Sequence, residues 1–200
     1  MQQLLTITEL QQRIALFEDM RAYEELYNRF FDGLHRFAFS FVKSNEVAEE
    51  IVSDVFIKIW QIRNRLSEVE NLKVYLYTIA RNFSLNYIQR IYKHPPVSLD
   101  ELDVMPVVEM GNPEEMLISA ETLRSLRQVI QELPPQCRLI FQLVKEEGLR
   151  YKEVADILQV SPLTVRNQLA IAVRRLGQAL PMIQSAGAVT AVSAGSLKKS

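Results

Sequence analysis

Residues 149–180 read LRYKEVADILQVSPLTVRNQLAIAVRRLGQAL and contain the strongest structural pattern in the chain. Apolar residues recur at helical spacing on both sides of a short break. They are Val154, Ala155 and Leu158 before the break, and Val165, Leu169, Ala172 and Leu176 after it. In the break, Ser161 suits a helix N-cap and Pro162 suits the first helical position. The spacing predicts a helix-turn-helix, the motif whose second helix enters the DNA major groove.

The second helix of this motif carries polar side chains that can contact bases. Arginine, asparagine and glutamine make paired contacts with guanine or adenine edges. The candidate base contacts are Thr164, Arg166, Asn167 and Gln168, and the candidate phosphate contacts are Arg150, Lys152, Arg174 and Arg175. The alternative is an ordinary amphipathic hairpin with a solvated polar face. Because many such turns carry glycine where this chain has Gln159, that residue must adopt a left-handed backbone or the turn must differ.

Composition excludes several classes of function. With one cysteine, Cys137, and two histidines, the sequence offers neither an internal disulfide nor a convincing zinc cluster. It has no glycine-rich phosphate loop and no evident nucleophile–base pair. No apolar run reaches the roughly 18–20 residues of a membrane span, and the N-terminus lacks a basic leader. We therefore expect a cytoplasmic protein that is not an enzyme and has no metal, cofactor or small-molecule substrate.

The formal net charge of −1 hides a strong segregation of charge. Residues 1–60 carry a net −4 and residues 96–135 a net −6, whereas residues 61–95 carry +4 and residues 136–184 carry +3. Alternating blocks suit a protein with two nucleic-acid surfaces and acidic surfaces for other partners. Accidental segregation would give the same pattern.

Helical periodicity extends through most of the chain. It predicts helices over residues 20–42, 46–66, 72–93 and 137–147, with Gly148 ending the last of these. The stripe of phenylalanines and tyrosines in residues 20–42 is typical of a core. In the second helix, Ile57 lies opposite the apolar face, near Glu50 and Asp54. This position indicates a protein-docking surface, although single exposed apolar side chains are common.

The run EEIVSDVFIKIW, residues 49–60, resembles region two of bacterial sigma factors of the extracytoplasmic-function group, within the sigma-70 family. In that family this helix docks on the clamp coiled coil of the largest RNA polymerase subunits. The resemblance implies that Glu50, Asp54 and Ile57 contact polymerase.

Residues 72–93 combine cations with aromatic rings. Leu72, Leu76, Ile79, Phe83 and Tyr87 form the expected inward stripe, whereas Tyr75, Tyr77 and Tyr92 are candidates for stacking on unpaired bases. The segment YLYTIARNFSLNYIQR resembles the family segment that melts and reads the −10 promoter element, and residues 67–71 match the loop that holds a flipped base. The implied −10 contacts are Asn71, Lys73, Arg81, Asn82, Asn86 and Arg90. Asn86 and Tyr75 replace the Asp and Trp that many relatives carry. The resemblance therefore does not indicate which base sequence the chain prefers at the −10 element.

The resemblance continues into the C-terminal part, where ELPPQCRLIFQLVKEEGLRYKEVADIL is similar to region four of the family. It implies an all-α chain with two small helical domains. Region two occupies residues 1–93, an acidic proline-containing linker residues 94–112, region four residues 113–184, and a flexible tail residues 185–200. Such a protein binds core RNA polymerase and directs it to −35 and −10 elements. The family also implies an anti-sigma factor, often membrane-bound, as inhibitor.

Two other functions are compatible with parts of the sequence. A stand-alone helix-turn-helix regulator would use residues 1–95 for dimerisation or sensing, and would bind a palindromic duplex without polymerase. A module that sequesters a protein partner would use the acidic blocks and no DNA. Arg166, Asn167 and Gln168 on a capped helix argue against the second.

Overall fold

The computed structural model describes residues 5–91 and 128–195, with side chains in the last helix described to residue 179. Within these ranges the regular elements are helical, which confirms the all-α prediction. The predicted linker, residues 94–112, and the first part of the predicted second domain lie outside the described residues.

The first helix, α1 (Ile7–Phe17), was not predicted from the sequence. Thr6 begins it with a capping box, in which the Thr6 hydroxyl accepts from the Glu9 amide and the Glu9 carboxylate accepts from the Thr6 amide. From α1 the buried side chain of Gln11 donates to the carbonyls of Leu66 (3.0 Å) and Val69 (2.9 Å). The helix thereby holds the irregular segment that leads into the predicted −10 helix.

The N-terminal domain is built on α2 (Met20–Val42), α3 (Asn45–Gln61) and α4 (Leu72–Ile91), which pack against one another. Asp19 caps α2 and Ser44 caps α3 by accepting from backbone amides. The predicted helix over residues 20–42 is confirmed. The helix predicted over residues 46–66 ends at Gln61, and the chain continues as a 3-10 helix (Arg63–Glu68) whose Leu66 carbonyl bonds to Gln11. The core of the domain is aromatic and aliphatic, and includes Leu26, Phe30, Leu34, Phe37, Phe41, Val52, Val55, Phe56 and Ile59.

The face of α4 that is buried differs from the predicted stripe. Leu72 and Leu76 are buried as expected, but Ile79, Phe83 and Tyr87 are only half-buried. The other buried residues are Tyr77, Ala80, Ser84 and Ile88. The prediction assumed one buried face, whereas α4 packs against α2 and α3 on one side and against the C-terminal domain on the other. Tyr77, predicted to stack on bases, is completely buried in this structure, beside Glu147 of the C-terminal domain.

The described part of the C-terminal domain contains α5 (Pro135–Phe141), a π-helical turn (Gln142–Glu146), α6 (Tyr151–Leu158) and α7 (Pro162–Gly195). The helix predicted over residues 137–147 thus begins at Pro135 and widens into the π-helical turn. Gly148 follows with a φ of 67°, as expected for a glycine that ends a helix. The buried Arg138 donates to the carbonyls of Gln131 and Leu133, so it joins α5 to the segment before it.

Helix α7 extends beyond the predicted end of the domain. Its backbone is helical to Gly195, whereas the sequence predicted a flexible tail over residues 185–200. The tail prediction rested on small residues without a strong period. Small residues do not prevent a helix, because alanine has the highest helix propensity. Residues 196–200 lie outside the described residues. Within the described part of the chain, no helix is both long enough and apolar enough to cross a membrane.

The two domains share one hydrophobic cluster. Leu139, Leu143 and Val154 of the C-terminal domain belong to the same cluster as Phe37 and Tyr77 of the N-terminal domain. The ring of Tyr77 contacts the ring of Phe37 edge-on, with 5.1 Å between centroids. The sequence predicted two domains joined by a linker, and the structure adds a packed interface between them.

Gly33 on α2 lies where the domains approach most closely. A Cβ at this position would lie 2.5 Å from the Tyr77 hydroxyl and 2.7 Å from a carboxylate oxygen of Glu147. At Gly177 on α7, by contrast, a Cβ would meet nothing within 4 Å. An alanine at position 33 would therefore force the Tyr77 hydroxyl and the Glu147 carboxylate to shift.

We expect Gly33→Ala to lower the free energy of unfolding by about 1–3 kcal/mol, because the added methyl overpacks the interface. Gly177→Ala is the matched control and should stabilise α7 by up to about 1 kcal/mol, the usual gain in a helix. Denaturant unfolding of both variants measures the difference. Equal stability of the two variants would contradict the close packing at Gly33.

Candidate nucleic-acid interface

The turn of the helix-turn-helix has the left-handed geometry that the sequence left open. Gln159 adopts φ 58° and ψ 43°, and its side chain donates to the Asp156 carbonyl at 2.7 Å. The amide of Val160 bonds to the Ala155 carbonyl at 3.1 Å. The turn therefore accommodates glutamine at a position that favours glycine, and the motif forms without further change.

Ser161 caps the second helix of the motif. Its hydroxyl accepts from the Thr164 amide at 2.9 Å and lies 2.8 Å from the Thr164 hydroxyl. Beneath the helix, the predicted inward residues Val165, Leu169, Ala172 and Leu176 are all buried. The cap and the buried stripe together fix which side chains of α7 point outward.

The structure separates the four predicted base contacts into two pairs. Arg166 and Asn167 are exposed. Thr164 is half-buried and its hydroxyl faces that of Ser161, whereas the amide oxygen of the half-buried Gln168 accepts from the Cys137 thiol at 2.6 Å. Arg166 and Asn167 are therefore the two predicted base contacts whose side chains are accessible without rearrangement.

The predicted phosphate contacts surround this face. Arg150, Lys152, Arg174 and Arg175 are exposed. Arg150 lies directly before α6, and its backbone amide donates to Glu153 at 2.7 Å, which leaves the guanidinium outside that bond. One guanidinium nitrogen of Arg175 lies 3.5 Å from the Glu132 carbonyl, a marginal contact that a phosphate could replace.

The predicted −10 contacts do not form one surface. Asn82, Asn86 and Arg90 are exposed and spaced by four, so they share one face of α4. Arg81 is half-buried, its Nε makes no hydrogen bond within the described residues, and burial lowers the pKa of its guanidinium. In the described part of the chain, Arg81 has one nitrogen without a hydrogen bond and lies next to the exposed side-chain amides of Asn82 and Asn86. Such a group of donors is suited to an anionic ligand.

Asn71 and Lys73 form a second group, at the start of α4, and here the structure differs from the prediction. Asn71 donates to Glu153 at 2.8 Å, and the Lys73 ammonium lies 3.0 Å from a carboxylate oxygen of Glu147. Both side chains are therefore bonded to the C-terminal domain in this structure. Sequence reasoning missed Glu147 and Glu153, since acidic residues beside a DNA-binding motif look like ordinary solvated charges.

The predicted polymerase contacts are accessible. Glu50, Asp54 and Ile57 are exposed on α3, and 54% of the Ile57 surface is open. Glu50 and Asp54 also line an open groove of about 550 Å³ between α3 and α4, together with Asn86 and Arg90 of the predicted −10 set. The groove thus combines acidic groups from one helix with polar and basic groups from the other. Within the described residues, no cluster of His, Cys, Asp and Glu could hold a metal ion.

Comparison with protein families gives two matches along the chain. The model described as Sigma-70 region 2 matches residues 26–93, and the model described as Sigma-70, region 4 matches residues 123–176. The first match contains α3 and α4, and the second contains the helix-turn-helix up to residue 176.

Comparison with individual proteins gives relatives of the same kind. The ECF RNA polymerase sigma-E factor of Escherichia coli (strain K12) is 27% identical over 158 residues, covering 76% of this chain and 82% of the relative. The RNA polymerase sigma-H factor of Pseudomonas aeruginosa is 24% identical over 176 residues, covering 84% of this chain and 91% of the relative.

Two solved structures share the fold. CnrH in complex with the cytosolic domain of CnrY superposes with a TM-score of 0.51 at 19% identity, covering 88% of this chain and 97% of that chain. The sigma factor RpoE in complex with the anti-sigma factor NepR, from Bartonella quintana, superposes with a TM-score of 0.52 at 22% identity, covering 80% and 98%.

We expect Ser161→Ala to destabilise the C-terminal domain by about 1 kcal/mol, because the Thr164 amide loses its acceptor at the start of α7. Ser53→Ala is the matched control, since the Ser53 hydroxyl only donates back to the Glu49 carbonyl within α3. That change should be neutral or slightly stabilising. Denaturant unfolding followed by circular dichroism compares them. If Ser161→Ala were as stable as Ser53→Ala, the cap would contribute nothing.

Proposed function

This chain belongs to the extracytoplasmic-function group of the sigma-70 family, and we propose that it recruits core RNA polymerase to promoters by contacting a −35 and a −10 element. The observation that carries the proposal is the order of the two region matches, residues 26–93 and then 123–176, on one chain. A stand-alone regulator has no need of the first region. The protein works in the cytoplasm as an initiation factor, and the polymerase supplies the chemistry of RNA synthesis.

Two weak contacts joined in one protein explain promoter selection. Each domain bound to its own element raises the effective concentration of the other domain at the second element. The free protein then binds promoter DNA weakly, and polymerase supplies the geometry and additional affinity.

For the −35 element, α7 enters the major groove and presents Arg166 and Asn167 to base edges. Their exposure and the fixed orientation of the helix support this assignment. Thr164 and Gln168 contact bases only after their present hydrogen bonds exchange. Arg150, Lys152, Arg174 and Arg175 bind phosphates and set the position of the helix.

We expect Arg166→Ala to weaken discrimination among −35 sequences by about 1–3 kcal/mol, the usual value of a paired base contact. Arg150→Ala is the control, because loss of a phosphate contact weakens binding almost uniformly and lowers the salt dependence. Transcription by the reconstituted holoenzyme on a panel of −35 variants measures both effects. An unchanged ranking of promoters in Arg166→Ala would place base recognition elsewhere.

For the −10 element, α4 holds the unpaired strand with Arg81, Asn82, Asn86 and Arg90, next to the loop at residues 67–71. The half-buried Arg81 and the exposed side chains of Asn82 and Asn86 support this assignment. Asn71 and Lys73 belong to the same proposed site once they leave their present partners.

The polymerase surface is the exposed face of α3 with Glu50, Asp54 and Ile57. Carboxylates around an exposed apolar side chain are suited to a basic partner surface with an apolar contact at its centre. The clamp coiled coil of the largest polymerase subunits is the partner that the family provides.

We expect Asp54→Arg to abolish binding to core polymerase while the fold is retained, because the new positive charge opposes the partner surface. Glu24→Arg, which makes the same charge change at an exposed site of α2, is the control and should bind normally. Gel filtration of each variant with core polymerase measures binding. Retained binding of Asp54→Arg would exclude this face of α3.

We also propose that an anti-sigma factor, often a membrane-bound protein in this family, inhibits the chain. The two solved neighbours, CnrH in complex with the cytosolic domain of CnrY and RpoE in complex with the anti-sigma factor NepR, support this proposal. The groove between α3 and α4 provides a surface where an inhibitor would compete with polymerase.

The function is tested by run-off transcription with purified core polymerase on a library of promoter fragments, with and without this protein. Transcripts from a subset that shares two spaced elements would support the proposal. Failure to bind core polymerase, together with salt-sensitive binding of the protein alone to a palindromic duplex, would favour a stand-alone regulator instead.

A further inference from the structure

A buried glutamine of α1 bonds to the segment that leads into the proposed −10 loop. We propose that Gln11 is a positioning residue for promoter recognition: its side chain fixes the main chain of residues 66–69, and this sets how strictly the cavity beside the loop selects a base. The inference rests on the proposed role of residues 67–71 at the −10 element.

Gln11 lies among the core residues of α1, next to Leu10 and one turn before Ile14, both of which are completely buried. Burial of a side-chain amide lowers stability unless hydrogen bonds compensate for the lost contact with water. Gln11 is 5% exposed, and its Nε2 donates to the carbonyls of Leu66 at 3.0 Å and Val69 at 2.9 Å. The two N–H groups of one buried amide thus serve the same short segment.

The two acceptors lie at the end of the 3-10 helix that follows α3, where the last carbonyls of a helix have no partner within it. The Leu66 carbonyl accepts from the Val69 amide at 3.2 Å as well as from Gln11. Val69 is extended, with φ −78° and ψ 105°, so the chain leaves the helix at this residue. Because both acceptors are main-chain atoms, Gln11 fixes the path of the chain independently of the side chains in the loop.

The middle of the loop is open to solvent between fixed points. Glu68 and Glu70 are exposed, and the loop ends at Asn71, whose side chain accepts from the Val74 amide at 3.1 Å. Glu68 also pairs with Arg65 at 3.1 Å, but their side chains are 62% and 79% exposed, and such surface pairs contribute little. The buried bonds to Gln11 therefore contribute more to the position of the loop than this surface pair does.

An open cavity of about 290 Å³ lies beside the loop and is lined by Ile62, Arg65, Glu68, Val69 and Tyr75. Val69 connects the cavity to α1, since its carbonyl accepts from Gln11 and the residue forms part of the cavity wall. Tyr75 is half-buried at the opposite end of the loop, on α4, and has a ring on which an unpaired base can stack. The bond from Gln11 to Val69 therefore helps to set the shape of the cavity.

The helix that carries Gln11 is itself fixed at both ends. At its start, Thr6 forms the capping box and the Leu5 carbonyl accepts from Arg29 of α2 at 2.9 Å. At its end, Arg13 pairs with Asp19, the cap of α2, at 2.7 Å. A group that positions a binding site acts best from a rigid element outside the site. The DNA contacts proposed above all lie on other elements, so α1 acts on DNA only through the loop.

A fixed loop and a mobile loop differ in how they treat the four bases. A rigid cavity rejects a base that does not fit it, whereas a loop that can move adapts to several bases. Loss of the bonds from Gln11 should therefore lower selectivity at the −10 element. A glutamine that only stabilised the domain would instead affect all promoters in proportion.

The experiment uses the full chain with core polymerase. Run-off transcription is measured on promoters that carry each of the four bases at each −10 position, and on a second panel that varies only the −35 element. Gln11→Met has a side chain of similar length that cannot donate to the two carbonyls. Ile14→Val is the matched control, because it removes one buried methyl group one turn further along α1 and leaves the bonds of Gln11 in place. Circular dichroism and gel filtration with core polymerase establish that each variant is folded and bound.

We expect Gln11→Met to lower the ratio of transcript from the most and the least preferred base by about fivefold at one −10 position or more, the lower end of the effect of one stacked base. The ranking of −35 variants should stay unchanged. Ile14→Val should lower the melting temperature and leave both rankings unchanged. An unchanged −10 ranking in Gln11→Met, or an equal loss of transcript from every promoter, would overturn the inference.

Gln11→Asn is a second variant that keeps the amide but is one methylene shorter, so it cannot reach both carbonyls. We expect a smaller loss of −10 selectivity in the same direction, which tests the inference even if Gln11→Met does not fold. If neither variant folds, Gln11 holds the domain as a whole and the inference is overturned. Absence of transcription, or of any −10 selectivity, with the unmodified chain would overturn the proposed function instead.

Discussion

Burial of α4 on two sides is the constraint on which the rest of the structure depends. Leu72, Leu76 and Ile88 are buried in the shared hydrophobic cluster, and Tyr77 lies between Phe37 of the N-terminal domain and Glu147 of the C-terminal domain. A helix buried on two sides has little surface left for a ligand. Its exposed stripe and its N-terminal end are the remaining places for DNA, and the N-terminal end is occupied by Glu147 and Glu153.

Electrostatics connects this packing to function. The chain is nearly neutral overall, but its cations and carboxylates are segregated along the sequence and meet again in space. Lys73 and Arg36 contact Glu147 across the domain interface, and Arg90 lines the same groove as Glu50 and Asp54. Such pairs are exchangeable, because a phosphate or a partner's charge can replace either member. The cations predicted to bind DNA therefore lie next to carboxylates of the same chain.

The helix-turn-helix could be predicted in detail because local interactions determine it. The Ser161 cap involves residues three positions apart, and the buried stripe of α7 follows from helical spacing. Local interactions and helical spacing also determine α2 and the helix end at Gly148. The left-handed backbone at Gln159 is one of the two outcomes that the sequence left open, and the structure selects it.

The sequence by itself determined α2, the helix-turn-helix with Arg166 and Asn167 on its outer face, and the acidic face of α3. Only the tertiary structure decided that Tyr77 is buried, that the Gln168 amide oxygen bonds to Cys137, and that Asn71 and Lys73 are occupied. The partners in these contacts are far apart in sequence: Lys73 and Glu147 are separated by 74 positions, and Arg36 and Glu147 by 111. Periodicity describes one helix at a time, so it cannot show which second surface that helix meets when the chain folds.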